Sequence, residues 1–240
     1  MALPKIQTPT YELNLPSSNE VVKFRPFLVK EEKILMMAQE AGDTNSMMNG
    51  VKQIIQNCIV SPSDMKLETM PMFDLEYIFL KLRSKSVGEN VKVGLVCDDC
   101  DATTQVDINL DEVKVDKPKD HDPKIMLNDQ IGITMKYPRV DTMEGLGDAG
   151  GIEEGFSVIK RCVETIFTTD GEVHELRDAT EKEADEFFES LTSDQFQKIR
   201  DFFDSMPKLS HKVKFKCTGC KKENVRTSQK ICETKNSGFS

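Results

Sequence analysis

The chain has 240 residues, 38% apolar and 30% charged, with 32 basic against 41 acidic side chains and a formal charge of −9. That is the composition of an ordinary globular chain, long enough for one substantial core or two small ones, and it excludes a largely disordered polypeptide. The acidic excess argues against nonspecific nucleic-acid binding, which rests on cations clustered at phosphates, and no apolar run approaches the roughly 20 residues that span a bilayer.

From the N-terminus, Tyr11, Leu13 and Leu15 alternate with polar residues, the turn sequence PSSNE follows, and Val21 to Phe27 alternates again, which predicts a β-hairpin. Ile34, Leu35, Ala38 and Ala41 then share one helical face, ended by Gly42 as a C-terminal cap. Met47, Val51, Ile54, Ile55 and Cys58 define a second amphipathic helix. After a loop with Pro62 and Pro71, Leu75, Ile78, Phe79 and Leu82 define a third, starting with Asp74 near its N-cap and stopping before Gly88. The four methionines Met36, Met37, Met47 and Met48 offer an adaptable apolar contact surface in this part of the chain, although for any single one of them filling the core is the commoner role.

The pattern changes at Val91, where the period becomes two through VKVGLVCDDC and again through Val106, Ile108 and Leu110. A lysine- and aspartate-rich segment, VKVDKPKDHDPK, reads as a linker. Residues 131 to 137 form a further strand, ended by Pro138. The glycine-rich EGLGDAGG is expected to be a mobile loop; it lacks the Lys-Ser/Thr pair of a phosphate-binding loop. Ile152, Phe156, Ile159, Val163 and Ile166 recur at helical steps and predict one continuous helix. TTDGEVHEL carries an Asp-Gly turn and predicts a small hairpin. Thr180 with Glu183, and Thr192 with Gln195, are capping boxes of two further helices, the second carrying Phe196, Ile199, Phe203 and Met206. Pro207 ends the helical part, and Val213 and Phe215 return the chain to strand.

Two Cys-x-x-Cys pairs, Cys97 with Cys100 and Cys217 with Cys220, each follow a strand-like run and precede a polar stretch, the pattern of a metal knuckle at a hairpin tip. Together they supply the four thiolates of a closed, structural Zn2+ site. Gly219 suits such a turn; the Asp98, Asp99 and Asp101 knuckle has no glycine. A redox pair would instead open a helix, whose N-terminus lowers a thiol pKa. Of the remaining cysteines, Cys58 and Cys162 fall on apolar helical faces as core residues, and Cys232 lies in a polar tail. Lys212, Lys214, Lys216, Lys221 and Lys222 make the second knuckle locally basic, which more often marks a solvated strand face than a binding patch.

Catalysis finds little support. His121, His174 and His211 are the only histidines, and none stands in a triad, metalloprotease or kinase arrangement; His211, at strand spacing from Val213, is the one that could approach the metal. No nucleophile elbow or Walker motif appears.

LPKIQTPTYELNLPSSNEVVKFRPFLVKEEKILMMAQEA, FDLEYIFLKLRSKSVGE, IGITMKYP and MPKLSHKVKFKCTGC resemble the baseplate hub and hub-assembly proteins of T-even-type contractile-tailed bacteriophages. The resemblance covers most of residues 4 to 220 and is densest over 4 to 96. It implies a noncatalytic hub component or assembly factor, whose partners are other phage baseplate hub and tail proteins and which takes no small-molecule substrate and no membrane. The tail NVRTSQKICETKNSGFS departs from the family, where an apolar segment follows the second knuckle.

The expected fold class is α+β: an N-terminal hairpin with amphipathic helices (1–89), a discontinuous zinc-ribbon-like β subdomain (90–115 with 208–225), a mostly helical insert (116–207) and a disordered tail (226–240). The beginning of the chain, MALPKIQTPTYEL, lacks a signal-peptide pattern, so the expected location is the reducing host cytoplasm during assembly, or the virion tail. Two competing readings remain: a zinc-ribbon nucleic-acid-binding or transcription-associated module, against which the acidity speaks, and a metalloenzyme with an open coordination position, against which the four-cysteine shell speaks.

Overall fold

The computed structural model describes residues 7–143 and 151–228. The chain forms two compact units: residues up to Leu67, 73–116 and from Lys208 onward make the first, and residues 68–72 with 117–207 make the second.

The first unit opens with the expected hairpin, β1 (Tyr11–Asn14) and β2 (Val21–Phe24), to which β3 (Ile59–Ser61) adds antiparallel. Leu13, Val22 and Phe24 point inward, as the period of two requires. Asn19 closes the turn with φ +59°, a left-handed conformation that asparagine tolerates. Helices α1 (Val29–Ala41) and α2 (Thr44–Cys58) lie where the periodicity places them. Gly42 caps α1 at φ +74°, and the Asp43 carboxylate accepts from the Ser46 N–H at the start of α2. A Cβ on Gly50 would sit 2.9 Å from the Ala38 Cβ, so the two helices meet at small residues.

Helix α3 runs Met72–Val87. Asp74 is not the N-cap the sequence suggested: it is buried inside the first turn and accepts hydrogen bonds from the Ser17 N–H at 3.0 Å and from the Ser17 hydroxyl. A buried carboxylate needs such donors, and here they come from the β1–β2 turn. Strands β4 (Asn90–Val96) and β5 (Thr103–Asn109) pair in full register, Val93 opposite Val106. Asp111 ties this hairpin to α3, accepting from Ser84 Oγ at 2.8 Å and Lys85 Nζ at 2.7 Å, while Lys81 Nζ donates to the Leu110 and Asp111 carbonyls. The charged segment after it is not purely a linker, because Lys114–Asp116 forms β6.

The second unit contains a four-stranded antiparallel sheet as well as the expected helices. Its strands are β7 (Lys124–Met126), β8 (Ile131–Met135), β9 (Val163–Thr168) and β10 (Val173–Glu175), in the order β10-β9-β8-β7. Helices α4 (Val140–Met143), α5 (Ile152–Cys162), α6 (Glu181–Glu189) and α7 (Ser193–Ser205) accompany it, and both predicted capping boxes form. The continuous helix expected through Ile166 stops at Cys162. VETIFT is rich in β-branched residues, and pairing with β8 on one side and β10 on the other outweighs the coincidental helical spacing of Val163 and Ile166. The core gathers Leu127, Ile133, Met135, Cys162, Val163, Phe188, Ile199 and Phe202. His121 belongs to its margin and not to a loose linker, with its ring centroid 4.7 Å from that of Phe202 and 5.5 Å from that of Tyr137. Residues 68–72 join this unit through Met72 N–H to Pro138 O and Val140 N–H to Met70 O. Residues 144–150, most of the glycine-rich segment, lie outside the described residues.

Gly132 in β8 is buried opposite Met126 and Phe167. A Cβ there would come within 2.9 Å of Met126 Sδ and closer still to the Phe167 ring, so the glycine exists to admit that ring. Gly132→Val is therefore expected to destabilise the protein by about 1–3 kcal/mol of overpacking. The check is the thermal unfolding midpoint, expected to drop by roughly 2–10 °C; an unmoved midpoint would mean the ring turns aside at no cost.

Beyond Pro207 the chain rejoins the first unit through β11 (Lys208–Lys216), followed by β12 (Glu223–Ser228). β11 pairs with β12 over its second half and with β6 over Lys208–Ser210, so the points where the chain leaves and re-enters the first unit are zipped together. β12 extends through residues 226–228, which the sequence assigned to a disordered tail; residues 229–240, including Cys232, lie outside the described residues. Val93, Ile108 and Val213 form a small core shared by the β4–β5 hairpin and β11.

Candidate metal centre

The tips of two hairpins, β4–β5 and β11–β12, carry the two Cys-x-x-Cys pairs, and their turns are built alike. In the first, the Cys97 N–H donates to the Ala102 carbonyl at 3.0 Å and the Asp101 N–H to the Cys97 carbonyl at 3.1 Å. In the second, the Cys217 N–H donates to the Lys222 carbonyl at 2.9 Å and the Lys221 N–H to the Cys217 carbonyl at 3.1 Å. The residue after the second cysteine takes the left-handed conformation in both, Asp101 at φ +55° and Lys221 at φ +64°. Gly219 therefore does not serve the turn as the sequence suggested. It serves close approach between the knuckles, since a Cβ on it would lie 3.0 Å from the Ala102 Cβ and 3.3 Å from Cys100 Sγ.

All four cysteines named from spacing come together, with every sulfur within 4.8 Å of every other. Two of the pairs that cross between knuckles are Cys97 to Cys220 at 3.7 Å and Cys100 to Cys217 at 3.6 Å. Cys97 and Cys217 are buried, and Cys100 and Cys220 reach the surface. The Gly219 N–H donates to Cys217 Sγ at 3.3 Å, the kind of bond that stabilises a thiolate, and the Cys97 thiol faces Asn224 Oδ1 at 3.6 Å. Hydrogen bonds from the backbone N–H groups of Cys220 and Gly219, opposed by burial, bring the Cys217 thiol down to about 6. The Cys220 thiol rises to about 11: the Lys222 N–H pulls it down, but burial and the three neighbouring sulfurs outweigh that pull. One thiolate forms readily here and its charge resists a second beside it; a cation between them removes that resistance.

Contacts that sequence reasoning missed hold the two tips in register. The Thr218 N–H donates to Thr104 Oγ1 at 3.1 Å, and the two threonine hydroxyls lie 3.3 Å apart. Lys222 pairs with Asp99 at 2.6 Å and Arg226 pairs with Asp98, so acids of the first knuckle neutralise bases of the second. No spacing rule links residues more than a hundred positions apart, though opposite charges at the two tips were a usable hint.

His211 stands in β11 opposite Ser228, and the four-sulfur group contains no histidine. Cys58 and Cys162 are fully buried elsewhere, and burial raises their thiols to about 11 and about 12, the state of inert core cysteines.

Four cysteine sulfurs gathered at paired hairpin tips could hold one metal ion. Against protein-family models, residues 8–232 match the T4 bacteriophage base plate protein family. The chain belongs to that family. No curated protein and no solved structure matches it.

Proposed function

We propose that this chain is a noncatalytic component or assembly factor of the phage baseplate hub, acting through protein–protein contacts on a frame stapled by one structural zinc. The observation that carries the metal is the sulfur spacing. A tetrahedral ion with Zn–S bonds of about 2.3 Å requires sulfurs about 3.8 Å apart; two of the inter-knuckle pairs lie at 3.6 and 3.7 Å, and all four sulfurs lie within 4.8 Å of one another. Cys97, Cys100, Cys217 and Cys220 would hold the ion, whose role is to close a long loop and add folding energy. The family match supports the baseplate role because it spans both knuckles.

Mass spectrometry of purified particles and of hub intermediates from infected cells tests the role. Stoichiometric peptides in particles identify a component, and peptides in hub intermediates alone identify an assembly factor. A chain found in neither, and not associated with other tail proteins, overturns the reading.

The surface that supports partner contact is on α1, where Met36 and Met37 are 63% and 60% exposed; Met47 and Met48, in α2, are half-buried. Met36→Gln with Met37→Gln is expected to weaken association with baseplate partners about tenfold, the scale of losing an apolar anchor. Affinity capture alongside thermal unfolding checks it; a matching loss of stability would make these residues core.

A further inference from the structure

The charge of the chain is divided unevenly. Residues 68–72 and 117–207, the second unit, hold 22 of the 41 acidic side chains and 11 of the 32 basic ones, a formal −11, which leaves +2 for the first unit. The first unit gathers cations on one surface. Residues directly opposite in an antiparallel ladder point to the same side, so Lys214 and Lys216 of β11 share the outward face with Val225 and Glu223 of β12, and Lys212 follows them at the same strand period. Toward the other end of β11, Lys208 and Lys114 lie on that same face, beside Asp116. The inward residues Val213 and Phe215 of β11, and Cys217 just beyond it, are buried, whereas Lys212, Lys214 and Lys216 are all exposed. Unlike the side chains of Lys222 and Arg226 at the knuckle, the ammonium groups of these three lysines form no ion pair or hydrogen bond with a described residue. Val225, opposite Lys214, is 59% exposed and sits at the centre of the stripe.

We propose that the outward face of the β11–β12 sheet docks the acidic second unit of another copy of this chain, in a head-to-tail contact. Charge complementarity carries it: unpaired lysines around an exposed valine on one unit, and a carboxylate excess on the other, with apolar centre and charged surround arranged as interfaces are. A nucleic acid is the poorer fit. The stripe offers few cations, its own rim includes Glu223 and Asp116, no aromatic side chain lies among the residues named on it, and the molecule as a whole is anionic. Because donor and acceptor surfaces differ, the contact is heterologous, and it grows into rings or open chains rather than stopping at a symmetric dimer.

Sedimentation velocity of the zinc-loaded full chain at about 50 mM and about 500 mM salt tests it. Wild type is expected to self-associate at low salt, with at least a tenfold weaker association constant at high salt. The triple variant Lys212→Glu, Lys214→Glu, Lys216→Glu, and its milder Lys→Gln counterpart, should stay monomeric with unchanged circular dichroism. Mixed with labelled wild type, the triple variant should still join, because its acidic unit is intact, and should shorten the assemblies. Wild type that remains monomeric at low salt, association that the triple variant retains, or a variant that fails to enter wild-type assemblies overturns the proposal. Micromolar binding of a DNA duplex abolished by the same three substitutions would reassign the face to nucleic acid and overturn it as well.

Discussion

Replacing Cys97 or Cys217 by serine is expected to empty the metal site and detach the two hairpin tips from each other. Wild type should carry one zinc per chain by elemental analysis, and each single variant well under half of that. The reason is geometric: every sulfur contacts its partner on the other knuckle, so one lost thiolate leaves three ligands and an open position in a site built to be closed. Structural zinc contributes on the order of 10 kcal/mol in small isolated sites, so this is the largest single effect expected in the molecule. Hydrogen exchange should accelerate in 90–96 and 208–216, while Cys58→Ala and Cys162→Ala leave metal content unchanged because those thiols lie in other cores. Acid should release the metal too, since protons compete for thiolates. A wild-type preparation that folds cooperatively with all four thiols titratable and no metal bound would sink the assignment.

Second in size is Glu31. Its side chain is wholly buried, receives Arg25 Nη2 at 3.0 Å and accepts the Leu28 N–H at 2.9 Å across the start of α1. Arg25 meanwhile donates to the Pro26 and Asn57 carbonyls, so the pair sews β2, α1 and the end of α2 together. Glu31→Ala strands a guanidinium that is mostly out of solvent, at a cost of about 3 kcal/mol, or a midpoint lowered by about 10 °C. The same pair sets a pH dependence. Burial pushes the Glu31 carboxyl up, but the Arg25 hydrogen bond and charge, with the Leu28 N–H, overcome this and hold it below the ordinary range. A depressed carboxyl stabilises the folded state fully above its unfolded value of about 4.3 and loses that contribution as pH falls through the folded value. Wild type should lose stability below about pH 4 more steeply than Glu31→Gln, and identical acid limbs for the two would refute the linkage.

Local rules carried much of the molecule into view from sequence. The Tyr11–Phe24 hairpin, the faces of α1 and α2, the Gly42 cap and both capping boxes depend on residues within a turn or two of each other, and each is present. The four cysteines were readable because ligand spacing and strand context recur in both knuckles, and the chain does bring them together. What escaped depends on distant partners. β6 is three residues of a charged segment that become strand only because Lys208–Ser210 lies alongside. Val163 and Ile166 fit a helical period, yet a sheet position between β8 and β10 decides their state. Asp74 reads as an N-cap, but α3 begins at Met72 and the carboxylate accepts from Ser17, 57 residues earlier. Gly219 reads as a turn glycine until the opposite knuckle, with Ala102 against it, is in place.

The distance along the chain between the two knuckles also orders events during synthesis. Cys97 and Cys100 leave the ribosome before residues 117–207, and Cys217 follows only when that whole stretch has been made. At about 5–20 residues per second the interval is roughly 6–23 s, during which the first knuckle has only two sulfurs to offer an ion. β5 and β6 wait through most of the same interval, because β11 is their neighbour and follows the whole second unit. The second unit, continuous apart from residues 68–72, is complete before the first can be, so a chain interrupted between Pro207 and Cys217 yields a finished second unit and a first that cannot close.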